Sequence, residues 1–158
     1  MKQAIQYIKQ QSNINPKIGI VLGSGLDMFC NRLESKTSIS YNDIPNFRKT
    51  SIKGHKGEFV LGKLYDHSII CANGRFHYYE GYEYKDVAII INLFKKMGCT
   101  HVIMTNSSGC VEKSWDIGDI MLINGHIDYS FMSSGEDPEI IQDSRYDSNL
   151  LNQVEGIT

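Results

Sequence analysis

The residues able to do chemistry in this 158-residue chain fall in a few short strings. The most unusual is Gly74-Arg75-Phe76-His77-Tyr78-Tyr79-Glu80-Gly81-Tyr82. Arg75 carries a planar guanidinium fork suited to two phosphate oxygens. In an extended backbone Arg75, His77 and Tyr79 project to one side, which sets a cation, an imidazole and a phenol in a row. Glu80 follows closely enough to hydrogen-bond the imidazole and fix its tautomer. The competing reading is an aromatic surface loop with one salt bridge.

Two further strings suit an anion. Gly23-Ser24-Gly25 follows an apolar run, so its backbone can approach a phosphate closely and Ser24 adds a hydroxyl donor. A plain tight turn explains it equally well. A dinucleotide fingerprint would want glycine at position 28, where this chain has Met28. Thr105-Asn106-Ser107-Ser108-Gly109 brings small hydroxyl residues to the end of another apolar run, as a second set of phosphate donors or as an ordinary strand exit. His55 sits in the glycine-flanked loop Lys53-Gly54-His55-Lys56-Gly57. His67, His101 and His126 have no partner pattern and read as structural or surface residues, and Trp115 reads as a packing residue.

These strings need elements to hold them. A short helix is expected over residues 4–11, with Ile5 and Ile8 on one face. Ile18 to Leu22 reads as a buried strand, and 26–33 as a helix continuing from the turn. Phe59 to Leu64 and Ser68 to Ala72 read as two strands joined at Tyr65-Asp66-His67. Tyr84 to Met97 reads as the clearest helix, with Val87, Ile90, Ile91, Phe94 and Met97 on one face and Gly98 as its stop. Val102 to Thr105 and Ile120 to Ile123 are further buried-strand candidates, and Tyr146 to Val154 a last helix. Alternation of this kind predicts an α/β three-layer sandwich with a mostly parallel or mixed central sheet flanked by helices. The chain reads as a single domain over 1–158, incomplete at its C-terminus.

Composition narrows the class. Hydrophobic residues make up 41% and charged residues 22%, with a formal net charge of -2. That balance argues against a nucleic-acid surface. No apolar stretch is long enough for a membrane span, and the N-terminus lacks the apolar core of a secretory signal. Cys30, Cys71, Cys99 and Cys110 form no C-x-x-C pair, so neither a metal nor a redox pair is expected. They read as reduced thiols of a cytoplasmic protein.

Taken in order, the strings resemble the trimeric purine nucleoside phosphorylase family. The resemblance runs from residue 17 to about 131 and includes Ile44-Pro45-Asn46-Phe47, Gly54-His55-Lys56-Gly57 and Gly118-Asp119-Ile120-Met121-Leu122-Ile123 beside those above. It implies a nucleoside phosphorylase-like fold and phosphate-dependent cleavage of inosine or guanosine to free base and ribose 1-phosphate, in purine salvage. It further implies that Ser24, His55, Arg75 and Ser107 bind phosphate and that His77 and Tyr79 lie by the ribose, with Glu80 orienting His77. His77 and Glu80 are then the catalytic candidates, and Asn106 and Phe76 belong to the same site in roles left open. No cofactor is expected, since inorganic phosphate is a co-substrate. Expected partners are the purine nucleoside, phosphate, and either further copies of the chain in a trimer or a separate C-terminal half. Cys110 stands where the family has a second glycine, Glu112 where it has asparagine, and Gly125 where it has aspartate. The base-holding residues of the family lie beyond residue 158. The alternative expectation is therefore a truncated or split-gene fragment that binds phosphate and ribose without turnover.

Overall fold

Ala4 and Ile8 stand one helical turn apart and are both buried, which fixes the inner face of the first helix, α1 (Lys2–Gln11). Residues 1–49, 56–128, 139–141 and 146–156 are described by the computed structural model. They fall in two units, Met1–Gly109 and Cys110–Thr158.

In the first unit β1 (Ile18–Leu22) is followed by a 3-10 turn over Asp27–Arg32, not by the expected α-helix. Next come β2 (Glu34–Ser40), β3 (Glu58–Leu64) and β4 (His67–Asn73). Two short helices, α2 (Tyr84–Val87) and α3 (Ile89–Met97), precede β5 (His101–Met104). The sheet is mixed, in the order β2-β3-β4-β1-β5. β1 is parallel to both β4 and β5, while β3 is antiparallel to β2 and β4. The α/β expectation therefore holds, with parallel and antiparallel pairings in equal share.

Alternation along the strands sends side chains to two faces. Val21, Phe59, Leu61, Ile70 and Ala72 join the core formed with α1 and α3. Ile20, Leu22, Val60, Ile69 and Cys71 join a second core with Cys30 and Leu33. Gly19 belongs to the first face. A Cβ there would lie 2.3 Å from Cδ2 of Phe94, so the missing side chain is what lets α3 settle on the sheet.

Tyr41 anchors the first core. It is buried, and its ring lies 4.7 Å from Phe59, 5.2 Å from Phe47 and 5.8 Å from Phe76. Its hydroxyl donates to the buried carbonyl of Gly74 at 2.8 Å. Burial, then the nearby Glu58 carboxylate and Cys30, push this hydroxyl well above its ordinary pKa. Burial likewise pushes the Cys99 thiol up to about 11, which suits the unreactive packing thiol read from the sequence.

Several expectations change. The helix expected over 84–97 breaks at Ala88, whose ψ is 0°. Four of the five residues from Val87 to Ile91 are β-branched and weaken the helix there. Its buried face is Ile90, Leu93, Phe94 and Met97, with Ile89 and Ile91 partly buried. β5 is a strand but not a buried one: Val102, Ile103 and Met104 are 42%, 49% and 63% exposed. It holds the edge of the five-stranded sheet opposite β2. The strong polar content of β2 hid that strand, which holds an edge with Ile39 as its buried apolar residue.

In the second unit, 120–123 forms no strand, and Ile120 is 95% exposed. Trp115, expected to pack, is also exposed. β6 (His126–Asp128) and β7 (Glu139–Ile141) pair antiparallel. α4 (Ser148–Glu155) starts where the Asp147 side chain accepts from the Leu150 amide. His126 does have a partner: Tyr146 stacks on it, with the hydroxyl 3.0 Å from Nδ1. Among the described residues no helix is long and apolar enough to cross a membrane.

Replacing Tyr41 by Phe should cost about 1–3 kcal/mol, because the Gly74 carbonyl then stays buried without its donor. The raised folded-state pKa adds a pH signature. The benefit of the hydroxyl is complete below about pH 10 and shrinks above it, as the unfolded chain ionises first. Denaturant melts of both proteins across that range check this. A stability difference that does not shrink would refute the assignment.

Candidate active site

Three parallel strands end together. Leu22 of β1 is level with Asn73 of β4, and Val21 is level with Met104 of β5. The three strings singled out from the sequence leave from these C-terminal ends, the usual place for ligands in an α/β sheet.

The first contact is between Gly23 and the end of β5. A Cβ on Gly23 would lie 2.8 Å from the Thr105 carbonyl oxygen and 2.9 Å from the Asn106 Cα, so only glycine fits. The Gly23 amide donates to the Thr105 hydroxyl at 2.8 Å, and that hydroxyl donates to the Val21 carbonyl at 3.1 Å. Gly25 turns the chain onward with φ +83°.

The second contact brings in Arg75. Its Nη1 donates to the Thr105 carbonyl at 3.0 Å, and its Nε donates to His77 Nε2 at 3.0 Å. A guanidinium can only donate, so His77 Nε2 must accept. The imidazole proton then sits on Nδ1, which lies 2.9 Å from Glu80 Oε1. The same carboxylate oxygen accepts from the His77 amide at 2.8 Å. The Glu80 carboxylate thus holds both the amide and the ring of His77 at the start of the short turn Tyr78–Glu80, which Gly81 closes at φ +85°. The Glu80 side chain is only 4% exposed.

His77 is extended and the chain turns after it, so Tyr79 does not continue the row as expected. Its ring instead stacks on the imidazole, with centroids 4.8 Å apart. Arg75, His77, Tyr79 and Glu80 thus form one connected group. Ser24, Asn106 and Ser107 are exposed at the neighbouring strand ends, and Asn106 Nδ2 donates to the Ser107 carbonyl at 3.4 Å. Phe76 points the other way, into the aromatic core beside Tyr41, Phe47 and Tyr82. His55 lies outside the described residues.

Two residues at the site escaped the sequence reading. Tyr41 supports Gly74 from beneath but belongs to no recognisable string. Thr105 was grouped with possible phosphate donors, yet its single hydroxyl proton is already given to Val21. Among the described residues no cluster of three or more His, Cys, Asp or Glu side chains could hold a metal ion.

Glu80→Ala should remove the cap and the Nδ1 acceptor that, together with the Arg75 donor at Nε2, fixes the tautomer. The expected result is loss of about 1 kcal/mol of stability and a shift of the His77 Nδ1 and Nε2 resonances toward a tautomer mixture in ¹⁵N spectra. Unchanged imidazole resonances would show that Glu80 does not set the tautomer.

The chain is similar in sequence and fold to known proteins. Residues 17–157 match the family model described as the phosphorylase superfamily. Purine nucleoside phosphorylase 1 of Geobacillus stearothermophilus is 39% identical over 127 residues, covering 80% of this chain and 46% of that protein. The Bos taurus purine nucleoside phosphorylase is 33% identical over 133 residues, covering 84% and 46% respectively. Isoform 2 of the Schistosoma mansoni enzyme, solved with cytosine and ribose-1-phosphate, superposes with a TM-score of 0.69 at 39% identity, over 75% of this chain and 41% of that one. The chain therefore spans about half the length of these relatives, and the strand ends, Arg75 and His77 lie within the matched residues 17–157 of this chain. On the match of residues 17–157, the chain belongs to the phosphorylase superfamily.

Proposed function

We propose that this chain carries the phosphate and ribose part of a purine nucleoside phosphorylase, which cleaves inosine or guanosine with phosphate to free base and ribose 1-phosphate. The observation that carries this reading is the Arg75 guanidinium, held against the Thr105 carbonyl at the strand ends and bonded to an oriented His77. Among the described residues, two of the five guanidinium N–H groups serve those partners, and three are left for an anion. Ser24 and Ser107 add hydroxyl donors from the neighbouring strand ends, and His55 completes the phosphate set. His77 and Tyr79 face the ribose, while Glu80 holds His77. Asn106 belongs to the same site.

In the reaction a phosphate oxygen bonds to the anomeric carbon as the bond from that carbon to the purine nitrogen breaks. The electron pair leaves with the base. The sugar passes through an oxocarbenium-like state, which an anion held beneath it stabilises. Holding phosphate and ribose in fixed relation lowers the barrier further. Phosphate is a co-substrate, and no other cofactor enters. The similar Schistosoma mansoni enzymes have been solved with inosine and, for isoform 2, with cytosine and ribose-1-phosphate, which supports the substrate class. A cytoplasmic location and a trimeric assembly, or pairing with a chain that supplies the remaining length of the family, complete the proposal.

A second reading draws on the matched span, which is 46% of the Geobacillus relative. In it the chain binds phosphate and ribose but turns nothing over. One pair of experiments separates the readings. Calorimetry with inorganic phosphate should show binding to the wild-type chain and at least about tenfold weaker binding to Arg75→Ala, the scale of a lost charge-assisted contact. Equal binding by both proteins sinks the site. A coupled assay for hypoxanthine release from inosine then decides between them. Phosphate-dependent turnover at about 1–10³ per second is the ordinary enzymatic range and carries the first reading, while binding without release carries the second.

A further inference from the structure

Thr105 makes four polar contacts that converge on the site from two directions. Its amide donates to the Val21 carbonyl at 3.0 Å, and its hydroxyl donates to the same carbonyl at 3.1 Å. The hydroxyl oxygen accepts the buried Gly23 amide at 2.8 Å. Its own carbonyl accepts Nη1 of Arg75 at 3.0 Å. One residue therefore fastens the start of the Gly23-Ser24-Gly25 turn and the guanidinium to the same strand end.

Sequence alone offers a different role, a hydroxyl that donates to phosphate. The hydrogen count rules against it. A hydroxyl has one proton, and here that proton is given to Val21. An anion could take it only by breaking a bond that joins β1 to β5. The carbonyl carries no proton at all.

We infer that Thr105 is a positioning residue for phosphate: it sets the distance between the Ser24 turn and the Arg75 guanidinium without touching the anion. This rests on the phosphate site proposed above. Its logic is geometric. Gly23 has no room to move toward β5, since even a Cβ would meet the Thr105 carbonyl. It is kept from moving away by the hydroxyl bond. Without that bond a buried amide lacks an acceptor and the turn must shift to find one, carrying Ser24 with it. Arg75 remains tied to the other side of Thr105, so the two sets of donors lose register.

Thr105→Val tests this, because valine keeps the shape and the β-branched strand preference but lacks the hydroxyl. Thr105→Ser restores the hydroxyl on a smaller side chain. In the full chain, Thr105→Val should weaken phosphate binding roughly three- to tenfold, the range of one neutral hydrogen bond. Thr105→Ser should stay within about twofold of wild type. Two further readouts do not need phosphate. The Gly23 amide should be protected from exchange in the wild type and in Thr105→Ser, and exposed in Thr105→Val. The Ser24 amide resonance should move in Thr105→Val and return in Thr105→Ser. A merely structural role would lower thermal stability in Thr105→Val while leaving phosphate affinity and the Ser24 resonance unchanged, and that result overturns the inference. So does an unprotected Gly23 amide in the wild-type chain, which needs no variant. If the wild type binds no phosphate, the phosphate reading fails by itself. The hold of Thr105 on the turn then stands if the Ser24 amide resonance moves in Thr105→Val and returns in Thr105→Ser, and falls if it stays still.

Discussion

β1 comes closer to β5 at Gly23 than any side chain would permit, and the arrangement of the strand ends depends on that approach. The Thr105 carbonyl that would collide with a Cβ on Gly23 is also the one that receives Arg75. Close contact and cation placement are thus two uses of one backbone group. Gly19, four residues earlier and within β1, also has no room for a side chain and admits the Phe94 ring. β1 is therefore the strand whose missing side chains let its neighbours close in. A helix settles over one end of it and a cation-bearing loop over the other.

The arginine is held as much by its neighbours as by its own bonds. Gly74 before it is fixed through its carbonyl to the buried Tyr41 hydroxyl. Phe76 after it is packed among Tyr41, Phe47 and Tyr82. In an extended segment the residues on either side of a position point away from it. Burying Phe76 therefore turns Arg75 and His77 outward without a further device. The aromatic content of this string, which on first reading suggested a surface loop, splits into two jobs. Phe76 and Tyr82 enter the core, while Tyr79 covers the imidazole.

What the sequence made readable follows from how local each signal is. Ile18 to Leu22 and the pair of strands around Tyr65-Asp66 announced themselves by apolar runs and a short turn, and they fold so. The contact between Glu80 and His77 was readable because three residues separate them. Thr105 was readable as a hydroxyl at a strand end, but its role needs Val21 and Gly23, more than eighty residues away, and no local pattern carries that. β2 failed for the opposite reason. An edge strand has little to bury, so its residues look like loop. Val102 to Met104 and 120–123 show the converse error, since an apolar run reports what a segment could bury and not whether something covers it.

The bonds of the site also differ greatly in the length of chain that they close. His77 to Glu80 closes three residues, Arg75 to Thr105 thirty, and Gly23 to Thr105 eighty-two. The entropy lost on closing a loop grows with its length, so the imidazole clamp is the least demanding to form and the bond across β1 and β5 the most. β5 is also an outermost strand with exposed side chains, the kind of element that opens locally ahead of the rest. A transient departure of β5 would release the Ser24 turn and half of the hold on Arg75, yet leave His77 fixed to Glu80. The two halves of the site therefore have separate lifetimes, and the anion-holding half is the shorter-lived.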